Sequence, residues 1–388
     1  MIRSLVYIFP LLINCLSGGI LFFAPHRLSQ LGCSGFAVGC GIAAWSLCYA
    51  LTSVAVGRFL TNRNAVPLIM TSALFLACGY GGFLTDPDIP VFFALICLMG
   101  IGAALYCTAF QLFMKSLESD ESGGQGIVRP TALYTMSWSI GIAGGPFFYG
   151  SLGAHWCFLI CIGLSLLVFA GIFIVWRMAP LIRERNRAHL SGTGEKPEID
   201  YLKYPDCILL GWITGGIGSV AVWTIRCMEP YRAHVLGFTE DHTAYIIALL
   251  SFVQAATAFF LVYGRTWMYR SLQTALIGFC GVAGLLFFAF GDSLPFFYAG
   301  AVLYGVFSGC TYFYFVFFAL ARKDSARCLS INETIVGAVG VLGPLSGGFF
   351  ADMNSSYPFL FCAVLVAAAL TFHTIGIRQL MRKSPEPV

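Results

Sequence analysis

Charge is what this chain has least of. Asp, Glu, Lys and Arg make up only 10% of its 388 residues, against about 25% in ordinary globular proteins. Apolar residues make up 58% and the mean hydropathy is +0.82, an excess that no soluble core of this length can bury. Catalytic patterns are missing too. The sequence has no paired carboxylates, no Ser/His/Asp arrangement, no H-E-x-x-H and no G-x-x-x-x-G-K-[ST], which leaves no basis for hydrolysis or ATP-driven pumping. We expect no enzyme, no cofactor and no metal. The 15 cysteines stand mostly singly within apolar segments, without metal or disulfide spacing, and read as small packing residues. The net charge of +4 calls for no nucleic-acid partner, because its distribution has a membrane explanation.

What is present is a series of long uncharged runs. Cys157 to Val175 reads CFLICIGLSLLVFAGIFIV, and its 19 residues rise about 28 Å as a helix, enough to cross a hydrocarbon layer of roughly 30 Å. Barrel strands are shorter and alternate in polarity, so helices are expected. The first run follows Arg3 and lacks a small-x-small cleavage site before Pro25, which makes it a first span and not a signal peptide. Charged, Pro-rich and Gly-rich breaks leave twelve spans, near 4–24, 35–57, 66–85, 91–114, 131–152, 154–176, 207–231, 243–263, 272–291, 296–320, 331–352 and 358–377. The predicted fold is an all-α integral membrane protein of two pseudo-symmetric six-helix bundles, 1–176 and 207–388. A solvated connector over 177–206 joins them, carrying RERNR and SGTGEKPEID.

Orientation follows from the basic residues. With the N-terminus inside, 19 of the 22 Lys and Arg fall on the cytoplasmic side, and only Arg27, Arg226 and Arg232 on the other. Both termini are therefore predicted cytoplasmic. The two bundles also echo each other. P-x-R-x-x-x-L-G occurs as PHRLSQLG from Pro25 and as PYRAHVLG from Pro230, 205 positions apart. Gly57-Arg58 and Gly264-Arg265 recur at an offset of 207, and Pro146 and Pro344 at 198. Six spans per copy return the chain to its starting side, so the copies share one orientation.

In order and spacing these features resemble the major facilitator superfamily of secondary transporters. The resemblance rests on the P-x-R-x-x-x-L-G ends, the loop GRFLTNRN from Gly57, YTMSWSIGIAGGP from Tyr134 and NETIVGAVGVLGPLSGG from Asn332. It implies alternating access, in which one bundle rocks over the other around a site near the membrane midplane. Two departures stand out. The loop has Thr61 or Asn62 where the family usually places an acid in a cytoplasmic charge network, although Arg58 and Arg63 remain. The G-P-x-x-G-G pattern of drug antiporters belongs to the fifth span, yet that span carries Gly145-Pro146-Phe147-Phe148-Tyr149-Gly150. The full match, Gly343 to Gly348, lies in the eleventh.

Candidate site residues come from depth and chemistry. Asn14 precedes Pro25 by 11 residues, about 16 Å, which sets an amide near mid-membrane where it needs a partner or a wet cavity. Its repeat mate is Ser219, and Gln254 is a second mid-span amide. In the seventh span, beside Trp223, Arg226 and Glu229 stand three residues apart, close enough to neutralise each other. The alternative gives Arg226 to an anionic substrate group. Aromatic lining is expected from Trp45, Tyr106, Tyr134, Trp138, Tyr304, Tyr312 and Tyr314. The resemblance puts all of these but Trp45 on helices that line the family's cavity. Glu333, near Arg322, Lys323 and Arg327, reads as a cytoplasmic gate contact or as a proton-carrying carboxylate. Gating or coupling roles are thus expected of Arg58, Arg63, Glu229, Arg265 and Glu333.

The function predicted is secondary transport of a small organic solute, polar or anionic, by a monomer in a cytoplasmic membrane, with a proton or sodium ion as coupling partner. Export of hydrophobic drugs is the alternative within transport. A transport-inactive sensor or assembly partner is the alternative outside it.

Overall fold

The computed structural model describes residues 8–61, 63–118, 128–190, 204–263, 266–322 and 325–382, and among them every long element is a helix. They are α1 (Ile8–Gln30), α2 (Gly35–Gly57), α3 (Ala65–Phe83), α4 (Ile89–Glu118), α5 (Val128–Leu190), α6 (Ile208–Val235), α7 (Glu240–Phe260), α8 (Ser271–Phe290), α9 (Leu294–Leu320), α10 (Ser325–Met353) and α11 (Tyr357–Arg382). All 11 are long and apolar enough to cross a membrane. Ten of the sequence-read spans each coincide with one helix; the fifth and sixth share α5.

That helix is not straight. Gly153 takes φ 78°, ψ 171°, a left-handed φ open at little cost only to glycine. Beyond it the Cys157 thiol comes 3.7 Å from the Gly145 carbonyl oxygen, 12 residues earlier. On a continuous helix that spacing would be about 18 Å along the axis. The chain therefore folds back at Gly153 into two arms, residues 128–152 and 154–190. The second arm runs on to Leu190, so residues 177–190 are helical where the sequence reading set a connector. Arg183, Glu184 and Arg185 are good helix formers and can extend a span past its apolar length.

The repeated P-x-R-x-x-x-L-G closes α1 and α6 with the same cap. Gly32 and Gly237 have φ of 73° and 74°. The amide after each bonds back five residues, Cys33 to the Leu28 carbonyl at 3.1 Å and Phe238 to that of Ala233 at 2.9 Å. This is the Schellman arrangement, which needs a left-handed residue at the glycine position. The arginines clamp. Arg27 donates to Asp86 Oδ1 at 2.7 Å, and Arg232 to the carbonyls of Ala289 and Gly291 at 3.0 and 2.9 Å. Asp86 and Gly291 are themselves 205 apart, so both copies tie the end of their first helix to the loop after their third.

Burial then sorts the helices by depth. In α1, 83% of the apolar window is buried, and in α6 and α9 72%, whereas α2, α8 and α11 reach only 39%. The first set forms the interior, and the outer faces carry exposed Phe260, Phe279 and Phe290. An apolar exterior of this kind suits lipid as the solvent.

Candidate functional site

The two halves of the chain meet along a seam in which α2 packs on α10, and the first arm of α5 on α7. Glycines permit the approach. A methyl group at Gly39 would stand 2.3 Å from the Pro344 carbonyl oxygen, and one at Gly348 2.5 Å from that of Gly35. At the end of the seam near Gly32, Gly153 and Gly237, polar contacts lock the halves together. His26 Nε2 lies 3.4 Å from Glu240 Oε1. The Phe36 amide, in the first turn of α2, donates to Asp352 Oδ2 at 3.3 Å, setting a negative charge against the positive end of that helix. The Ser151 and Tyr245 hydroxyls are 3.4 Å apart.

Deeper in the seam the structure gathers five of the expected residues. Arg226 is only 3% exposed, and its guanidinium carbon sits 5.5 Å from the centre of the Trp138 ring on α5. Trp138 packs on Tyr312 of α9 at 5.0 Å, and Ser219 lies close to the Tyr312 hydroxyl. Arg226 also reaches the Ser251 hydroxyl at 3.5 Å, a long contact, and its Nε has no partner. Gln254 bridges the halves, donating to Ser139 Oγ at 2.6 Å and accepting from Ser308 Oγ at 2.8 Å. Ser139, Ser251 and Ser308 are absent from the sequence reading, because a serine in an apolar span gives little signal until its neighbours are known.

The mutual neutralisation of Arg226 and Glu229 is not formed. Among the described residues, carboxylates come within ion-pair distance only of His26 (Glu240), Arg27 (Asp86) and Arg322 (Asp206). The guanidinium is turned instead over Trp138 and toward Ser251, and a base N-terminal to its acid is the less favourable order for a helical pair. Glu229 is fully buried, and neither of its oxygens has a hydrogen-bond partner.

The other candidates lie apart from this cluster. Trp45 stacks on Tyr49 at 5.5 Å and meets Trp223 at 5.9 Å across the seam, with its indole N–H buried and unpartnered. Asn14 spends its amide on its own helix, donating to the Pro10 carbonyl at 2.7 Å, and packs against Gly141. Tyr106 stacks on Phe110 at 4.9 Å, with Tyr134 nearby. Tyr304 donates to the Gly218 carbonyl at 2.9 Å and Tyr314 pairs with Thr274 at 3.0 Å, so both hydroxyls are used within the second half. Arg58 and Arg63 are exposed at the far end of α2 and in the loop after it. Arg265 and the side chain of Glu333 lie outside the described residues. Among the described residues no group of His, Cys, Asp and Glu is arranged to hold a metal ion.

Known proteins agree with this architecture. The chain is 22% identical to Multidrug resistance protein 2 of Bacillus subtilis (strain 168) over 371 residues, covering 91% of this chain and 89% of that one. It is 24% identical to Multidrug resistance protein 1 of the same organism over 371 residues, covering 91% and 90%. The human organic anion transporter MFSD10 (TETRAN) superposes with a TM-score of 0.62 at 13% identity, covering 95% of this chain and 98% of the other, which bears on the fold alone. The model of the Major Facilitator Superfamily matches residues 8–323. With its capped repeat, helical hairpin and seam of glycines, the chain belongs to the Major Facilitator Superfamily.

Proposed function

We propose that this protein is a secondary active transporter that carries a small organic anion across a cytoplasmic membrane by alternating access, with residues 1–176 and 207–388 as the two rocking lobes. Family membership supports a transporter over an enzyme. With the termini inside, the polar lock at His26, Glu240 and Asp352 closes the outer end of the seam.

The anionic substrate is supported by one observation: Arg226 is buried on the seam with no carboxylate within ion-pair distance among the described residues. A buried charge without a counter-ion costs several kcal/mol. An entering carboxylate offsets that cost with charge-assisted, bidentate hydrogen bonds. Trp138 and Tyr312 beside it suit a planar or amphiphilic body.

The test is a binding and flux series on purified protein in proteoliposomes, using carboxylates, organic phosphates, neutral sugars and cationic dyes. A carboxylate or phosphate should raise the melting midpoint and show saturable flux. Arg226→Gln should weaken its binding by at least about 10-fold, the value of one charge-assisted hydrogen bond. Unchanged affinity in that variant removes the reading.

Efflux of hydrophobic drugs is the second reading, favoured by the two Bacillus relatives and by the ring series Tyr49, Trp45 and Trp223. It predicts that expression protects a sensitive host against cationic dyes and that Arg226→Gln protects equally well.

A further inference from the structure

Glu229 is left without a role by anion binding alone. It stands one turn beyond Arg226 on α6, is fully buried, and presents two oxygens with no hydrogen-bond partner. A naked carboxylate in that setting is far costlier than the neutral acid. Its surroundings offer no substitute for Arg226. On its own helix Arg232 is held by Ser355 Oγ at 2.9 Å, Ser356 Oγ at 2.6 Å and the carbonyls of Ala289 and Gly291. From α9, Tyr298 is the titratable group whose electrostatics Glu229 reaches, and its hydroxyl is 2.9 Å from His242 Nδ1 of α7. Asp241 and Tyr245 of α7 also act on Tyr298. Asp352 of α10 is turned to the Phe36 amide, and His26 of α1 to Glu240.

We propose that Glu229 is the proton-carrying group of this transporter, and that Glu229 and the substrate anion compete for Arg226, so that one proton travels with each anion. The proposal rests on the anion reading above. Residues three apart on a helix have Cβ atoms about 5–6 Å from each other, so a rotamer change brings the guanidinium to the carboxylate without moving the backbone. The structure has Arg226 turned away, over Trp138 and toward Ser251.

The charges balance in both forms. Without substrate, Arg226 pairs with ionised Glu229 and the two sum to zero. With a monovalent anion on Arg226, Glu229 loses its counter-ion and takes up a proton, and the sum is again zero. Neither form carries net charge through the seam, so reorientation is permitted in both, and substrate and proton leave together when Arg226 returns to Glu229. Charge compensation thus resides in two residues of one helix.

The experiment is infrared titration of the full-length protein in phosphatidylethanolamine–phosphatidylglycerol vesicles, following the carboxylic-acid carbonyl band. Glu229→Gln identifies the band by removing it. Taking away the counter-ion in Arg226→Gln should move the titration midpoint to a proton concentration at least about 10-fold lower. Arg226→Met, which nearly keeps the volume, should do the same and serves where the glutamine variant does not fold. Arg226→Lys, which keeps the charge, should stay within about 3-fold of wild type, well below that displacement. A band that does not titrate, or a midpoint that ignores both neutral variants, overturns the proposal. A coupled titration in a protein that transports no anion would leave the proton site standing and remove the anion reading. Anion transport with an uncoupled band would do the reverse.

Discussion

Arg226 and Gln254 show how differently two buried polar residues of neighbouring helices are employed. Gln254 has both ends of its amide satisfied, one from each half of the chain, and so acts as a bridge. Arg226 has a ring face, one long contact to a hydroxyl and an idle Nε, and so is poised for something else. At the same scale, Gly237 is fixed by its backbone. With φ at 74° inside a Schellman cap, it should not tolerate a side chain. Gly237→Ala is expected to lower stability by about 1 kcal/mol, the penalty of a left-handed non-glycine residue, and thermal unfolding in detergent should show a correspondingly lower midpoint. Gly237 stands out in the sequence because its motif recurs at Gly32. The partners of Gln254 do not stand out, because Ser139 and Ser308 lie 115 and 54 residues away and nothing local distinguishes them from packing serines.

Elements are where apolar run length succeeds and misleads in turn. Length and lack of charge placed α1, α2 and α6 to α11 closely, since crossing a membrane requires about 20 consecutive apolar residues. The same criterion stopped the sixth span at residue 176, although the second arm of α5 continues to Leu190. A helix does not end where the lipid does: the second arm carries on past Pro180 on residues such as Leu181, Arg183, Glu184 and Arg185, whose helix propensity outlasts the apolar run. The seam between α2 and α10 depends on backbone contact, and from that follows a prediction. A side chain at Gly39 would collide with the Pro344 carbonyl of the opposite half. Gly39→Val should therefore hold the seam apart. Spin labels at Ser34 and Asn354, both exposed, should report a longer distance between the ends of α2 and α10 than in wild type.

For the whole molecule, the closed end of the seam is held by few polar contacts. His26 with Glu240 and Asp352 with the first turn of α2 each join one half of the chain to the other. Half-exposed contacts of this kind contribute about 0–1 kcal/mol apiece. The lock is therefore weak enough to open during a transport cycle, while the glycine contacts beneath it define the closed register. Glu240→Gln together with Asp352→Asn should shift the population toward the open end by a few-fold, read from the same label pair; an unchanged distance distribution would mean that packing alone holds the closure.

Membership of a membrane, the number of apolar runs and the duplicated plan were set by the sequence itself, because insertion sums the transfer free energies of consecutive residues and a duplication leaves its motifs at one offset. Which polar residues meet was decided only in three dimensions. The separation of Arg226 from Glu229, its position over Trp138 and the bridge at Gln254 all depend on how distant helices turn their faces to one another. Periodicity within one span carries no record of that choice, since the energy of a buried charge is set by the neighbours that packing brings to it.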